Sequence, residues 1–162
     1  MPVVLRALVA CALAVTPILA QAPVRRAPAD LEGAWIAESM EANGNPMPAA
    51  VVQGVRFTFR GEALILTGFG GGPPEQTCTF VIDAQALPHR LDFTTPGGRT
   101  VYAVYGLTGD GPERRLTVVF VRNGDRASRP ADLTTSPGSN RLKIVLARGP
   151  AGSIARFPQI AN

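Results

Sequence analysis

From Val55 to Arg60 apolar and polar side chains alternate: Val55, Phe57 and Phe59 fall on one side, Arg56, Thr58 and Arg60 on the other. A period of two is the signature of a strand with one buried and one wet face. Gly61 interrupts the run and Glu62–Thr67 supplies the next, which predicts a hairpin with Leu64 and Leu66 inward. Gln76–Ile82 sets Cys78, Phe80 and Ile82 against Thr77, Thr79 and Val81. Leu91 and Phe93 flank Asp92, Thr100–Gly106 is a β-branched and aromatic run, and Leu116–Arg122 follows it. Arg141–Arg148 closes the series with Leu142, Ile144 and Leu146 inward. Counting Leu31–Met40 at the start, the pattern predicts eight strands of about five to ten residues each, all joinable by antiparallel connections. Such a set forms an all-β barrel or a sandwich.

The breakers between these runs are turn formers. Gly68–Pro74 is almost wholly Gly and Pro, Pro96-Gly97-Gly98 and Gly109-Asp110-Gly111-Pro112 mark two further turns, and Asn123-Gly124 is the strongest short hairpin signal. Asn43-Gly44-Asn45-Pro46 is another turn, after which Pro48–Gln53 is expected as a short helix over one end. Ser128–Leu133 has the composition of a single helical turn with Pro130 at its first position. There is no internal repeat and no sign of a second domain.

The first thirty residues follow a different pattern. Met1–Arg6 carries one positive charge and Ala7–Ala20 is an apolar run of 14 residues, shorter than the ~20 needed to span a bilayer as a helix. This describes a secretory signal peptide over residues 1–22, cut after Ala20 or Ala22, and implies an exported protein, periplasmic or extracellular. Leu8-Val9-Ala10-Cys11 matches a lipobox by residue type, but the apolar run continues well past Cys11, so the lipoprotein reading is set aside. Residues 23–30, Pro- and Ala-rich with Arg25 and Arg26, read as a flexible linker, 31–148 as the domain and 149–162 as a tail.

Composition narrows the chemistry. In 162 residues there are 17 Gly and 15 Pro, about a fifth of the chain, which leaves little room for long helices. The chain holds 16 basic and 12 acidic residues, for a net charge of +4, and Lys143 is the sole lysine. Arg25-Arg26 and Arg114-Arg115 are isolated pairs with no basic stripe and interleaved aromatics, so no nucleic-acid partner is expected. A single histidine, His89, lies in a Pro-His-Arg turn, where a solvated loop residue is expected. No set of ligands marks a metal site. Asp92 with Asp110, or Glu62 with Asp83, is the kind of carboxylate pairing any chain with a dozen acids allows. Gly70-Gly71-Gly72 lacks the Lys-Ser/Thr of a phosphate loop, and no Gly-x-Ser-x-Gly elbow is present. We therefore expect no catalytic residues, cofactor or metal, and no enzyme. With Cys11 removed in the signal, Cys78 has no intramolecular partner, and its place among large apolar residues points to a buried, inert thiol.

Leu31-Glu32-Gly33-Ala34-Trp35 resembles the Gly-x-Trp opening of lipocalin-type barrels. More specifically, the chain resembles a family of exported lipocalin-like domains, abundant in planctomycete bacteria, to which no activity is assigned. The resemblance continues through Asn43-Gly44-Asn45-Pro46, Val55–Gly61, Pro88–Phe93, Val104–Asp110, Arg129-Pro130 and Leu142–Arg148. It departs at Leu133, where the family commonly has Phe, and at the inserted Gly111–Arg115. What it implies is a fold: an eight-stranded antiparallel lipocalin-like barrel with Gly33 at a bend in the floor. Trp35 would plug the closed end, with Arg148 packed over it. The lining would come from Phe57, Phe59, Leu64, Leu66, Cys78, Phe80, Ile82, Phe93, Tyr105 and Phe120, and a mostly filled interior with at most a shallow mouth is expected. Two roles follow for such a barrel: a module that binds a protein or envelope component through its loops, or a carrier of a small apolar ligand. A cavity of about 300 Å3 or more favours the carrier.

Overall fold

The computed structural model describes residues 23–69 and 74–150; residues 1–22, where a signal peptide is expected, residues 70–73 and residues 151–162 of the tail lie outside the described residues. Each alternating run is a strand: β1 (Gly33–Ala42), β3 (Arg56–Arg60), β4 (Ala63–Thr67), β5 (Glu75–Asp83), β6 (His89–Thr94), β7 (Thr100–Thr108), β8 (Arg115–Val121) and β9 (Arg141–Arg148). Asn45–Pro46 adds a two-residue β2 folded back on the end of β1, and α1 (Ala49–Val52) is the short helix expected after it. Neighbours pair antiparallel in the order β2-β1-β3-β4-β5-β6-β7-β8-β9, and β9 returns to β1. The sheet thus closes into an eight-stranded barrel with β2 as an appendage. No described helix is long and apolar enough to cross a membrane.

Closure depends on β1, which serves two neighbours. Its register to β9 slips between Ala37 and Ser39, leaving Glu38 unpaired as a bulge. A bulge adds bend and twist to its strand. Residues Gly33–Ile36 accordingly pair with β3, while Ser39–Ala42 diverge from β3, pair with β9 and take β2 on their other edge.

The inward residues meet in register. Phe57 lies opposite Leu66, Leu64 opposite Cys78, and Phe80 opposite Phe93. All ten side chains expected to line the barrel belong to one core cluster, none more than 8% exposed. Edge-to-face ring pairs run through it, Phe59 with Phe80 at 5.6 Å and Phe93 with Phe120 at 6.2 Å between centroids. Such pairs add to simple area burial. The middle of the barrel is therefore filled with side chains.

Three segments differ from expectation. Residues 23–30 are not a free linker. Val24 exchanges two backbone hydrogen bonds with Ile82, both 2.8 Å, and the Ala27 amide donates to the Gly61 carbonyl. Its Pro and Ala content suits an extended chain laid across the barrel floor as well as it suits a linker. Asn123-Gly124 turns the chain, with Asn123 at φ 59°, but no hairpin follows. Nothing between Gly124 and Asn140 alternates, and Pro130 and Pro137 lack the amide donor a strand needs. The return strand begins only at Arg141. Ser128–Leu133 is not helical; it is part of this long connection, which lies over the outer face of β6 and β7, where Arg129 meets Asp92 and the Ala103 carbonyl and Leu133 stands over Gly106. Val104 and Val119, on that outer face, are at most 1% exposed.

Candidate functional site

The two ends of the barrel are built differently. At the floor, Trp35 is fully buried and its Nε1–H donates to the Leu31 carbonyl at 2.8 Å. Arg148, opposite Trp35 in register, sets its guanidinium 5.0 Å from the indole centroid, as expected from the resemblance. The same group donates to the carbonyls of Asp30 (2.8 Å) and Glu32 (2.7 Å), so one side chain fixes the segment leading into β1 to the barrel wall. Gly33 has φ +109°, a value L side chains rarely adopt, while a Cβ there would meet Arg148 Nη2 at an ordinary 3.9 Å. Its role is thus conformational rather than steric.

Near the floor sit the titratable groups of the interior. His89 is the first residue of β6 rather than a solvated loop residue. It is half-buried, its ring lies 5.2 Å from that of Tyr105, and its Nδ1 is 3.0 Å from the Ala86 carbonyl. A carbonyl only accepts, so Nδ1 carries the proton. Burial, with the nearby charges of Asp30 and Asp83, pushes the Tyr105 hydroxyl up to about 12. Burial also raises the Cys78 thiol, which is 1% exposed. Neither group is prepared to act as a nucleophile. Asp92 is not paired with another acid: Arg129 grips both of its oxygens. Asp83 faces Arg90 at 3.7 Å and accepts the Gln85 and Ala86 amides. Among the described residues no group of three or more His, Cys, Asp or Glu could hold a metal.

The opposite end is open. A pocket of about 340 Å3 lies there, lined by Met40, Met47, Val51, Val55, Phe69, Phe120 and Leu142, with Gly68, Arg99, Arg122 and Asn123. Each element delivers a side chain to it. Met40 and Leu142 come from the far ends of β1 and β9, and the β1–β2 hairpin folds Met47 back, its amide donating to the Met40 carbonyl at 2.9 Å. The short helix presents Val51, which is 43% exposed. Phe69 packs on Phe57 at 5.5 Å. That placement follows from Gly68 at φ +76°: a Cβ there would stand 2.0 Å from the Gly54 carbonyl oxygen, so the two backbones meet only because Gly68 carries no side chain. Arg99 enters from the β6–β7 turn, and Arg122 and Asn123 from the end of β8.

A second concavity, about 410 Å3, lies outside the barrel between the Leu87–Pro88 turn and the long connection, lined also by Arg90, Val104, Arg126, Arg129, Pro130 and Ala131. Here Arg129 is already engaged, bridging Asp92 and the Ala103 carbonyl (2.8 Å) and stacking 5.4 Å from the Tyr102 centroid. This cleft is a by-product of how the connection is stapled down. The mouth, by contrast, opens onto the apolar interior.

Of the residues around the mouth, the alternating pattern marks Phe120 as lining and sets Val55 and Leu142 on inward faces. Met40 was seen simply as the end of the first strand, and Met47, Val51 and Phe69 sit in a turn, a short helix and a loop, where no alternation exists to read. Their signal was apolar side chains in segments expected to be wet. No family model, curated protein or solved structure matches the chain, so the resemblance to exported lipocalin-like domains rests on its own motifs.

Proposed function

We propose that this chain is an exported lipocalin-like binding protein that receives a small apolar ligand in the mouth of its barrel. The observation that carries the reading is the pocket of about 340 Å3, walled by Met and Phe side chains and continuous with the core. Its size sits at the lower end of ligand pockets, and unbranched methionines adapt to varied apolar shapes. The apolar run at the N-terminus supports a working place outside the cytoplasm. A second reading, docking of a protein or envelope component through the loops, is favoured by Leu87, 90% exposed at the lip of the outer cleft.

Titration with phenylnaphthylamine, a neutral fluorophore that brightens in apolar pockets, tests the first reading. Saturable binding is expected, and Val51→Trp, which fills the mouth from an exposed helical position, is expected to abolish it at unchanged melting temperature. A folded protein that fails to bind the probe, or a Val51→Trp variant that binds as well, sinks the pocket reading.

A further inference from the structure

We infer that the mouth selects a single-chain amphiphile with an anionic head, held by Arg99 and Arg122. This rests on the ligand-binding reading above and deepens it by naming the ligand class. Both arginines line the apolar pocket and both are exposed. Neither forms an ion pair, and neither guanidinium donates a hydrogen bond among the described residues, although all 12 acids of the chain lie within that range. In the outer cleft, by comparison, Arg90 and Arg129 face Asp83 and Asp92, while Arg126 is likewise without an ion pair among the described residues, and it is the adjoining Met and Phe wall that sets the mouth apart.

Their backbones are nevertheless fixed. The Arg99 carbonyl accepts the Thr95 amide at 2.9 Å, and Arg122 donates its amide to the Asn140 carbonyl at 3.0 Å while its own carbonyl accepts Asn140 Nδ2. Two guanidiniums are thus anchored at the base and free at the tip, beside an apolar floor of Met40, Met47, Phe120 and Leu142. A guanidinium is weakly hydrated and presents paired donors that match a carboxylate or phosphate. Apolar wall and cationic rim together fit a ligand with an alkyl tail and one anionic head. A pocket this small takes one short tail rather than a two-chain lipid.

Competition against phenylnaphthylamine with decanoate, decanol and decyltrimethylammonium, all below their aggregation limits, tests this on the purified chain. Decanoate is expected to bind about tenfold tighter than decanol or more, the effect of one charge-assisted contact, and the cation weakest. The double variant Arg99→Gln/Arg122→Gln is expected to bring decanoate to the level of decanol measured on the same variant. If the probe itself does not bind, the pocket reading falls and this inference with it. If the probe and decanol bind but decanoate gains nothing, the pocket stands and the anionic head is wrong. A decanoate preference that survives the double variant also overturns it. So does co-sedimentation with phosphatidylglycerol vesicles without binding of monomeric decanoate, which would assign the arginines to a membrane surface.

Discussion

Replacing Arg148 by Met keeps the length and apolar stem of the side chain and removes only its guanidinium. The geometry sets what is lost: hydrogen bonds of 2.8 and 2.7 Å to the Asp30 and Glu32 carbonyls and the position 5.0 Å from the Trp35 ring. Charge-assisted bonds are worth about 1.5–3 kcal/mol each, and the lower figure applies because the group is half-buried and water can reach the freed carbonyls. The ring contact adds about 0.5–1 kcal/mol. The variant is therefore expected to lose about 3–4 kcal/mol, which at this domain size lowers Tm by about 10–15 °C. Calorimetry and urea titration read both values. The ring contact is isolated by a double-mutant cycle with Trp35→Leu, which removes the indole but leaves both carbonyls in place; a coupling of about 0.5–1 kcal/mol is expected. An Arg148→Met protein that melts within about 3 °C of wild type refutes the floor lock, and a coupling of zero refutes the ring contact alone.

Further perturbations probe other parts of the molecule. Arg129→Met strands Asp92 and frees the Ala103 carbonyl; a loss of about 2–4 kcal/mol in urea unfolding is expected, with hydrogen exchange rising across the long connection before the strands. Gly68→Ala drives a Cβ into the Gly54 carbonyl at a backbone conformation only glycine adopts easily; at least about 2 kcal/mol should be lost, together with phenylnaphthylamine binding. Acid should loosen the same connection first. Glu41 is held below its usual value mainly by the Thr135 hydroxyl and also by Lys143, Asp125 by Ser128, and Asp132 by Thr134 and Arg141. A depressed carboxylate stabilises above its unfolded pKa and loses that contribution as pH falls through its folded value. Exchange protection over residues 125–135, corrected for intrinsic rates, is expected to drop below about pH 4 while β3–β6 stay protected; equal loss everywhere would contradict this.

The barrel was legible because its signal is local. Val55–Arg60 alternates without error and Thr77–Ile82 departs only at Val81, and such a run reads as a strand with one wet face. The outer layer was not legible from alternation alone, since the pattern assigns Val104 and Val119 to solvent. A signal existed in the neighbouring residues: Val101–Tyr105 and Val118–Phe120 are apolar on both faces, which calls for cover on both. The segment 23–30 was misread because Pro and Ala report an extended backbone and say nothing about what that backbone touches. The mouth was hardest, since it is assembled from chain ends and turns distant in sequence. Met40, Met47, Val51 and Arg122 meet there only after β9 has closed on β1.

That distribution of paired and unpaired charge makes the two ends separable. Arg148 at the floor, and Arg115, Arg129, Arg141 and Lys143 on the walls, each have a named partner within the chain. Folding uses those cations and would suffer without them. Arg99 and Arg122 have no such partner among the described residues, so folding of these residues does not draw on their charge and the domain should tolerate its removal. Two independent sets of variants follow: Arg148→Met should move Tm and leave probe affinity unchanged at temperatures where the protein is folded, and Arg99→Gln/Arg122→Gln should do the reverse for decanoate. Combined, their effects on stability should add within about 0.5 kcal/mol, since the sites share no contact. A loss of ligand affinity in folded Arg148→Met would show that the floor and the mouth are one cooperative unit, and that the filled core between them transmits strain rather than isolating the site.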